Sequence, residues 1–135
     1  MSIGVGGFAE QTAQDVETLL YSYGGYNLNI RECRNAERVC DGIIMIARDA
    51  LVEPELHRKR IRKPSGRKAI VEKRIYKEPA WPELFQSGKI SVSNCSNCWL
   101  TVEYGIDITA RELIRKIFRA YQIEGIITEK LAFDK

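Results

Sequence analysis

The sequence has little histidine and no long apolar run. His57 is the single histidine, so a Ser-His-Asp triad or a site with several histidine ligands has few residues to draw on. No run approaches the roughly 18 apolar residues that span a bilayer. The first residues, MSIGVGGFAEQ, also lack the basic region that opens a secretory signal. We therefore expect no contact with membranes and predict a cytoplasmic protein.

The composition is that of a folded chain. Of the 135 residues, 44% are hydrophobic and 29% are charged, which is ordinary for a globular protein and unlike a disordered one. A chain of this length can bury one hydrophobic core. We predict a single domain over residues 1–135.

The positive charge is concentrated in one part of the chain, which we call the basic segment, Arg58–Lys77. This segment holds ten lysines and arginines and one acid, Glu72, giving it a charge of +9, while the rest of the chain carries −6. Such segregation is typical of a surface that meets phosphates or acidic side chains. Pro64-Ser65-Gly66 divides the segment, which predicts a basic arm over residues 55–68 that these breakers could leave mobile, followed by an extended stretch.

The N-terminal part is predicted to be helical. Apolar residues recur with helical spacing over residues 8–23, and the Gly24-Gly25 pair can close that helix. Asn29 and Glu32 match a capping box, in which each side chain satisfies a backbone N–H of the other residue. This predicts a second helix with one apolar face.

The C-terminal part is predicted to hold a small sheet and one helix. Residues on either side of Cys95-x-x-Cys98 alternate between apolar and polar, which indicates a β-hairpin with the two cysteines at its tip. Thr109 and Glu112 form another capping box, which starts a helix, and a short strand follows Gly125. We predict an α+β fold: two N-terminal helices, a basic arm, a small antiparallel sheet with a Cys-x-x-Cys hairpin, and a C-terminal helix followed by a short strand.

These features favour a small nucleic-acid-binding regulatory protein that acts on transcription, on DNA or RNA. Lysine and arginine bind phosphates by releasing condensed counterions. Phosphate contacts are predicted for Arg58, Lys59, Arg60, Arg62, Lys63, Arg67 and Lys68. A second contact is predicted for the helix stripe, which consists of Arg111, Arg115 and Arg119, with Gln122 beside it as a reader of base edges.

Two other functions also fit the sequence. The basic surface could dock on an acidic protein, which would make the chain an adaptor or inhibitor. Glu53 and Glu55, beside the basic arm, could hold Mg²⁺ in a metal-dependent nuclease.

The four cysteines allow a structural zinc site. Cys95 and Cys98 have the spacing of half a zinc knuckle, whose two thiolates would need two more ligands, with His57 available as one. Cys33 and Cys40 lie too far apart on the predicted helix to join one ion easily and are interpreted as core residues. No other cofactor is expected.

Overall fold

The computed structural model describes residues 4–134. Within this range the chain forms seven strands and two α-helices. The strands are β1 (Val5–Gln14), β2 (Thr18–Asn27), β3 (Gly42–Ala47), β4 (Glu55–Arg62), β5 (Lys68–Ile75), β6 (Ile90–Ser93) and β7 (Lys130–Asp134). The helices are α1 (Trp81–Gln86) and α2 (Ile108–Glu124).

The strands form two separate antiparallel sheets. Five of them make the main sheet, in the order β6-β3-β2-β1-β7, and α2 packs on one face of it. β4 and β5 pair only with each other among the described strands. Neither described helix has the length and apolar character that crossing a membrane requires.

The core lies between the main sheet and α2. Alternate residues of β2 and β3 point towards the helix, because side chains along a strand alternate between the two faces of its sheet. The fully buried side chains include Leu19, Tyr21, Tyr23, Ile44, Ile46, Leu113, Ile117 and Phe118. Small residues bring the start of α2 close to the sheet, since a Cβ added to Gly7 or Gly25 would lie 2.3 or 2.4 Å from Thr109 side-chain atoms.

The predicted α+β fold with two N-terminal helices is wrong. Residues 8–23 form most of the β1–β2 hairpin rather than a helix. Leu19, Tyr21 and Tyr23 are buried and alternate as strand residues do. Val16, which was expected on the apolar face of the predicted helix, is 90% exposed in the turn between the strands. The Asp15 carboxylate closes that turn by accepting N–H bonds from Glu17 and Thr18 at 2.8 and 2.7 Å.

The second predicted helix is also wrong. The chain makes one short 3₁₀ turn at Arg31–Cys33 and then enters β3. β3 lies between β2 and β6, and β-branched residues such as Ile44 and Ile46 fit a strand that is paired on both edges. No α-helix of the described range begins at Asn29; its backbone N–H donates to the Asn27 side chain at 2.9 Å.

The C-terminal predictions are partly right. The helix and the strand after it are present as α2 and β7. The helix is capped by Asp107 rather than Thr109, because the Asp107 carboxylate accepts the Ala110 N–H at 2.7 Å. The hairpin with cysteines at its tip is wrong: β6 is followed by a turn, and the predicted return strand is reduced to one bridge between Thr101 and Asp107.

Candidate nucleic-acid interface

The basic segment folds into a two-stranded ribbon. We call β4, β5 and the turn between them the basic ribbon, residues 55–75. Every residue of β4 is exposed, and β5 becomes partly buried only at Ala69 and at its last two residues. Most of the predicted arm is therefore the strand β4, which pairs in register with β5 in the stretch that was predicted to be extended. A ribbon of two strands with no sheet beneath it exposes both of its faces.

The breaker residues of the sequence form the turn of this ribbon. The Lys63 N–H donates to the Arg67 carbonyl at 2.8 Å, and the Gly66 N–H donates to the Lys63 carbonyl at 2.9 Å. Proline favours the second position of such a turn, and Gly66 has a φ of 86°, which a residue with a Cβ adopts at a cost. Pro64 and Gly66 thus join two strands instead of separating two unrelated stretches.

One face of the basic ribbon carries a row of arginines. Pairing places Arg58 opposite Glu72, Arg60 opposite Ile70, and Arg62 opposite Lys68, and directly opposed residues share a face. Glu72 accepts a bond from the Arg58 Nε at 3.2 Å. Across residues 4–134, nothing forms an ion pair with Arg60, Arg62 or Lys68. We call this side the arginine face.

The opposite face is basic as well. It carries Lys59 and Lys73, and the turn adds Lys63 and Arg67 at the tip. All seven predicted phosphate-binding residues of the arm therefore lie on the ribbon, distributed over its two faces and its tip. Charge on both faces suits a projection that a polyanion can surround.

Two side chains of α2 hold the base of the ribbon to the body. Gln122 is fully buried and makes a two-bond pair with the Lys77 backbone: it accepts the Lys77 N–H and donates to the Lys77 carbonyl, both at 2.7 Å. The Tyr121 hydroxyl donates to Glu53 at 2.5 Å, just before β4. Gln122 was predicted to read base edges; its amide is instead buried and committed to this contact.

The helix stripe lies beside the base of the ribbon. Arg115 and Arg119 are exposed, and the Arg119 guanidinium lies 5.3 Å from the centroid of the Tyr76 ring, one residue beyond β5. Arg111, at the other end of the stripe, is only partly exposed and contacts Glu112 at 3.3 Å. Because eight residues of helix rise about 12 Å, the stripe connects the ribbon to the start of α2.

The cysteines are not assembled into a metal site among residues 4–134. Cys95 is buried, and its thiol donates to the Asp107 Oδ2 at 3.3 Å. Burial, with the Asp107 charge adding to it, raises the pKa of Cys95 to about 12, so the free thiol stays protonated at neutral pH. His57 pairs with Glu55 on the ribbon at 2.9 Å. The zinc site stays a prediction from sequence.

The remaining sequence-based expectations concern two cysteines and the glutamates of the proposed Mg²⁺ site. Cys33 is buried as predicted, but Cys40 is exposed. Glu53 accepts the Tyr121 hydroxyl, whereas Glu55 contacts His57, and the described residues bring no third carboxylate to this pair. The nuclease therefore stays a prediction without a preformed Mg²⁺ site in this part of the chain.

Sequence reasoning found the ribbon residues but missed those that position them. The Gln122 and Tyr121 contacts join residues 45 and 68 positions apart, and no local pattern signals such pairs. Comparisons of this chain with protein-family models, with curated protein sequences and with solved structures give no significant match. The arrangement of the ribbon and helix therefore carries the functional argument by itself.

Proposed function

We propose that this protein binds nucleic acid through the basic ribbon. The observation that carries the proposal is a projecting hairpin whose cations lie exposed on both faces, with three of them on the arginine face lacking any ion pair within residues 4–134. A folded protein gains little stability from such an arrangement, because like charges repel each other. A polyanion would relieve that repulsion and release its own counterions.

The spacing along the ribbon suits a phosphate backbone. Alternate residues on a strand lie about 6.7 Å apart, which is close to the distance between neighbouring phosphates along one nucleic-acid strand, so the arginines at 58, 60 and 62 can contact successive phosphates. The major groove of B-DNA admits a two-stranded ribbon. The arginine face can therefore follow the backbone while the ribbon lies in a groove.

The helix stripe supplies the second contact. Arg115 and Arg119 are exposed on α2 next to the ribbon base. A nucleic-acid strand that extends beyond the ribbon can therefore contact them without a change in the protein fold. Glu112 and Glu78 border this surface, which makes it less positive than the ribbon. We assign most of the affinity to the ribbon and a positioning role to the stripe. A role in transcription stays a prediction from the sequence.

Charge reversal tests the proposal. Binding of the chain to a duplex and to a single-stranded oligonucleotide is measured at low salt by fluorescence anisotropy. The double variant Arg60→Glu/Lys63→Glu removes two ribbon cations and should abolish binding. The control Arg31→Glu/Arg34→Glu makes the same net change at exposed positions of the loop after β2 and should retain most of it. Equal losses in the two variants would mean that only overall charge matters.

An acidic protein is the second candidate partner. The ribbon also exposes apolar side chains, among them Ile70 at 65% and Val71 at 43%, and apolar groups among charges are common at protein interfaces. No retention of the wild-type chain on DNA or heparin at low salt would favour this adaptor function over nucleic-acid binding.

A further inference from the structure

A pocket lined by aromatic rings and arginines opens at the start of the helix stripe. We call it the aromatic pocket, and its walls include Trp81, Phe85, Tyr104, Arg111 and Arg115 together with one acid, Glu103. Its enclosed space is about 30 Å³, which is room for about two water molecules. A planar ring therefore cannot enter the pocket and can only lie across its mouth.

Tyr104 presents an open ring face at this pocket. Its ring stacks on Phe85, with centroids 4.4 Å apart and planes 11° from parallel. The residue is nevertheless 48% exposed. Because Phe85 covers one face of the ring, much of this exposed surface belongs to the other face. A further flat ring could extend the stack, and base–aromatic stacks of this kind tolerate any base.

The backbone holds Tyr104 there at a cost. Its φ and ψ are 68° and 10°, the left-handed region, which is strained for a residue with a Cβ. Glycine or asparagine at this position would avoid most of that cost. The buried aromatic residues of the core stabilise the fold by packing. A half-exposed tyrosine in a strained turn adds little to this packing.

The two arginines give the pocket an anion-binding side. Glu112 contacts both guanidinium groups, Arg111 at 3.3 Å and Arg115 at 3.8 Å, and so holds them side by side. The Arg111 Nε is buried and has no hydrogen-bond partner among the described residues. A ligand with an acceptor oxygen would give this donor a hydrogen-bond partner. A buried donor without a partner is energetically unfavourable.

The aromatic pocket is continuous with the surface beside the ribbon. Arg115 lines the pocket and also the neighbouring groove, which holds Lys116, Arg119 and Tyr76. Tyr76 lies one residue beyond the end of β5. A strand bound on the ribbon can therefore run along the helix stripe and end at the pocket.

From these contacts we infer that one unstacked nucleobase of the strand that the basic ribbon binds lies across the mouth of the aromatic pocket. The base stacks on the open face of Tyr104, and its phosphate lies at Arg111 and Arg115. The inference rests on the proposed nucleic-acid binding and adds to it that the partner contains at least one unpaired nucleotide.

Trp81 provides a reporter inside the pocket. The chain has two tryptophans, so Trp99→Phe leaves Trp81 as the single one. This protein is titrated with an oligothymidylate at low salt, and both the quenching of Trp81 and the salt dependence of binding are recorded. We expect quenching on binding. In Tyr104→Asn, the quenching should be lost and the affinity should fall about tenfold, because one base stack is removed. Tyr104→Phe, which keeps the ring, should behave as the parent.

The same variants separate a binding role from a structural one. Asparagine tolerates the left-handed conformation, so Tyr104→Asn should unfold at the same temperature as the parent or slightly above it. Binding of Tyr104→Asn with the affinity and quenching of the parent would overturn the inference while leaving the ribbon proposal intact. If the parent itself binds no nucleic acid at low salt, the proposed function fails, and the inference fails with it.

Two further experiments identify the source of the base. Thymidine monophosphate alone should quench Trp81 far more weakly than the oligonucleotide. Equal binding of the monophosphate, retained in Arg60→Glu/Lys63→Glu, would overturn the strand assignment and make the pocket a site for free nucleotides. Photocrosslinking of an oligonucleotide that carries 5-iododeoxyuridine needs no pocket variant. Adducts on Tyr104 or Trp81 support the inference, whereas adducts confined to the ribbon overturn it.

Discussion

Replacement of Gln122 by leucine should loosen the base of the basic ribbon. Leucine has a similar volume and suits the buried position, but it can neither accept the Lys77 N–H nor donate to the Lys77 carbonyl. A hydrogen bond contributes about 1 kcal/mol net, so losing two costs about 2 kcal/mol. Lys77 is itself exposed, and water can reach its backbone groups, which keeps the cost from rising further. We expect a loss of about 1–2 kcal/mol in the free energy of unfolding.

Urea denaturation followed by far-ultraviolet circular dichroism measures this loss. The midpoint should fall by roughly 0.5–1 M at an unchanged slope, because the slope for a domain of this size is about 2 kcal/mol per M. Gln86→Leu is the matched control, since it makes the same change at an exposed position of α1 and should shift the midpoint little. A midpoint for Gln122→Leu equal to that of the wild type would refute the role assigned to this amide.

Three further predictions concern other parts of the fold. Gly66→Ala should make trypsin cut the ribbon faster, because the left-handed turn costs alanine about 1–2 kcal/mol, whereas Gly66→Asn should be cut at nearly the wild-type rate. Cys95 should resist iodoacetamide at pH 8 and react only after denaturation, because burial and the nearby Asp107 raise its pKa to about 12; mass spectrometry of the peptides showing rapid native labelling would contradict this. Turn N–H bonds lower the pKa of Asp15, so its stabilisation is present above about pH 4 and is lost below it. Acid titrations should show that Asp15→Asn loses less stability over that range than the wild type.

The helix α2 was predicted correctly from the local sequence pattern. α2 has apolar residues on one face over several turns, and its packing on the sheet buries Leu113, Ile117 and Phe118 as expected. A long amphipathic helix is specified mainly by residues close together in sequence. Only its cap was misplaced, because Thr109 and Asp107 both have suitable side chains, and Asp107 is the one whose carboxylate reaches the Ala110 N–H.

The N-terminal half could not be assigned in this way. Leu19, Leu20 and Tyr23 fit a helical period, while Leu19, Tyr21 and Tyr23 fit a strand, so a short window supports both interpretations. Pairing decides between them. β2 has β1 on one edge and β3 on the other, and the hydrogen bonds of both edges come from distant parts of the sequence.

The candidate site was predictable in composition but not in form. The charge count located the basic segment. Pro64 and Gly66, however, are equally typical of a linker that separates two stretches and of a turn that joins two paired strands. Which one forms depends on whether the flanking stretches pair. The aromatic pocket gave no local signal, since Phe85 and Tyr104 stack across a stretch that contains β6 and the cysteine turn.

The central claim, that the ribbon binds phosphates, is tested most directly by the salt dependence of duplex binding. The logarithm of the association constant should fall linearly with the logarithm of the salt concentration, with a slope of about −4 if four to five ribbon cations contact phosphates. Arg60→Gln/Arg62→Gln should reduce the magnitude of that slope by about 2, since each phosphate contact contributes about 1. A slope near zero, or one that this variant leaves unchanged, would contradict the account.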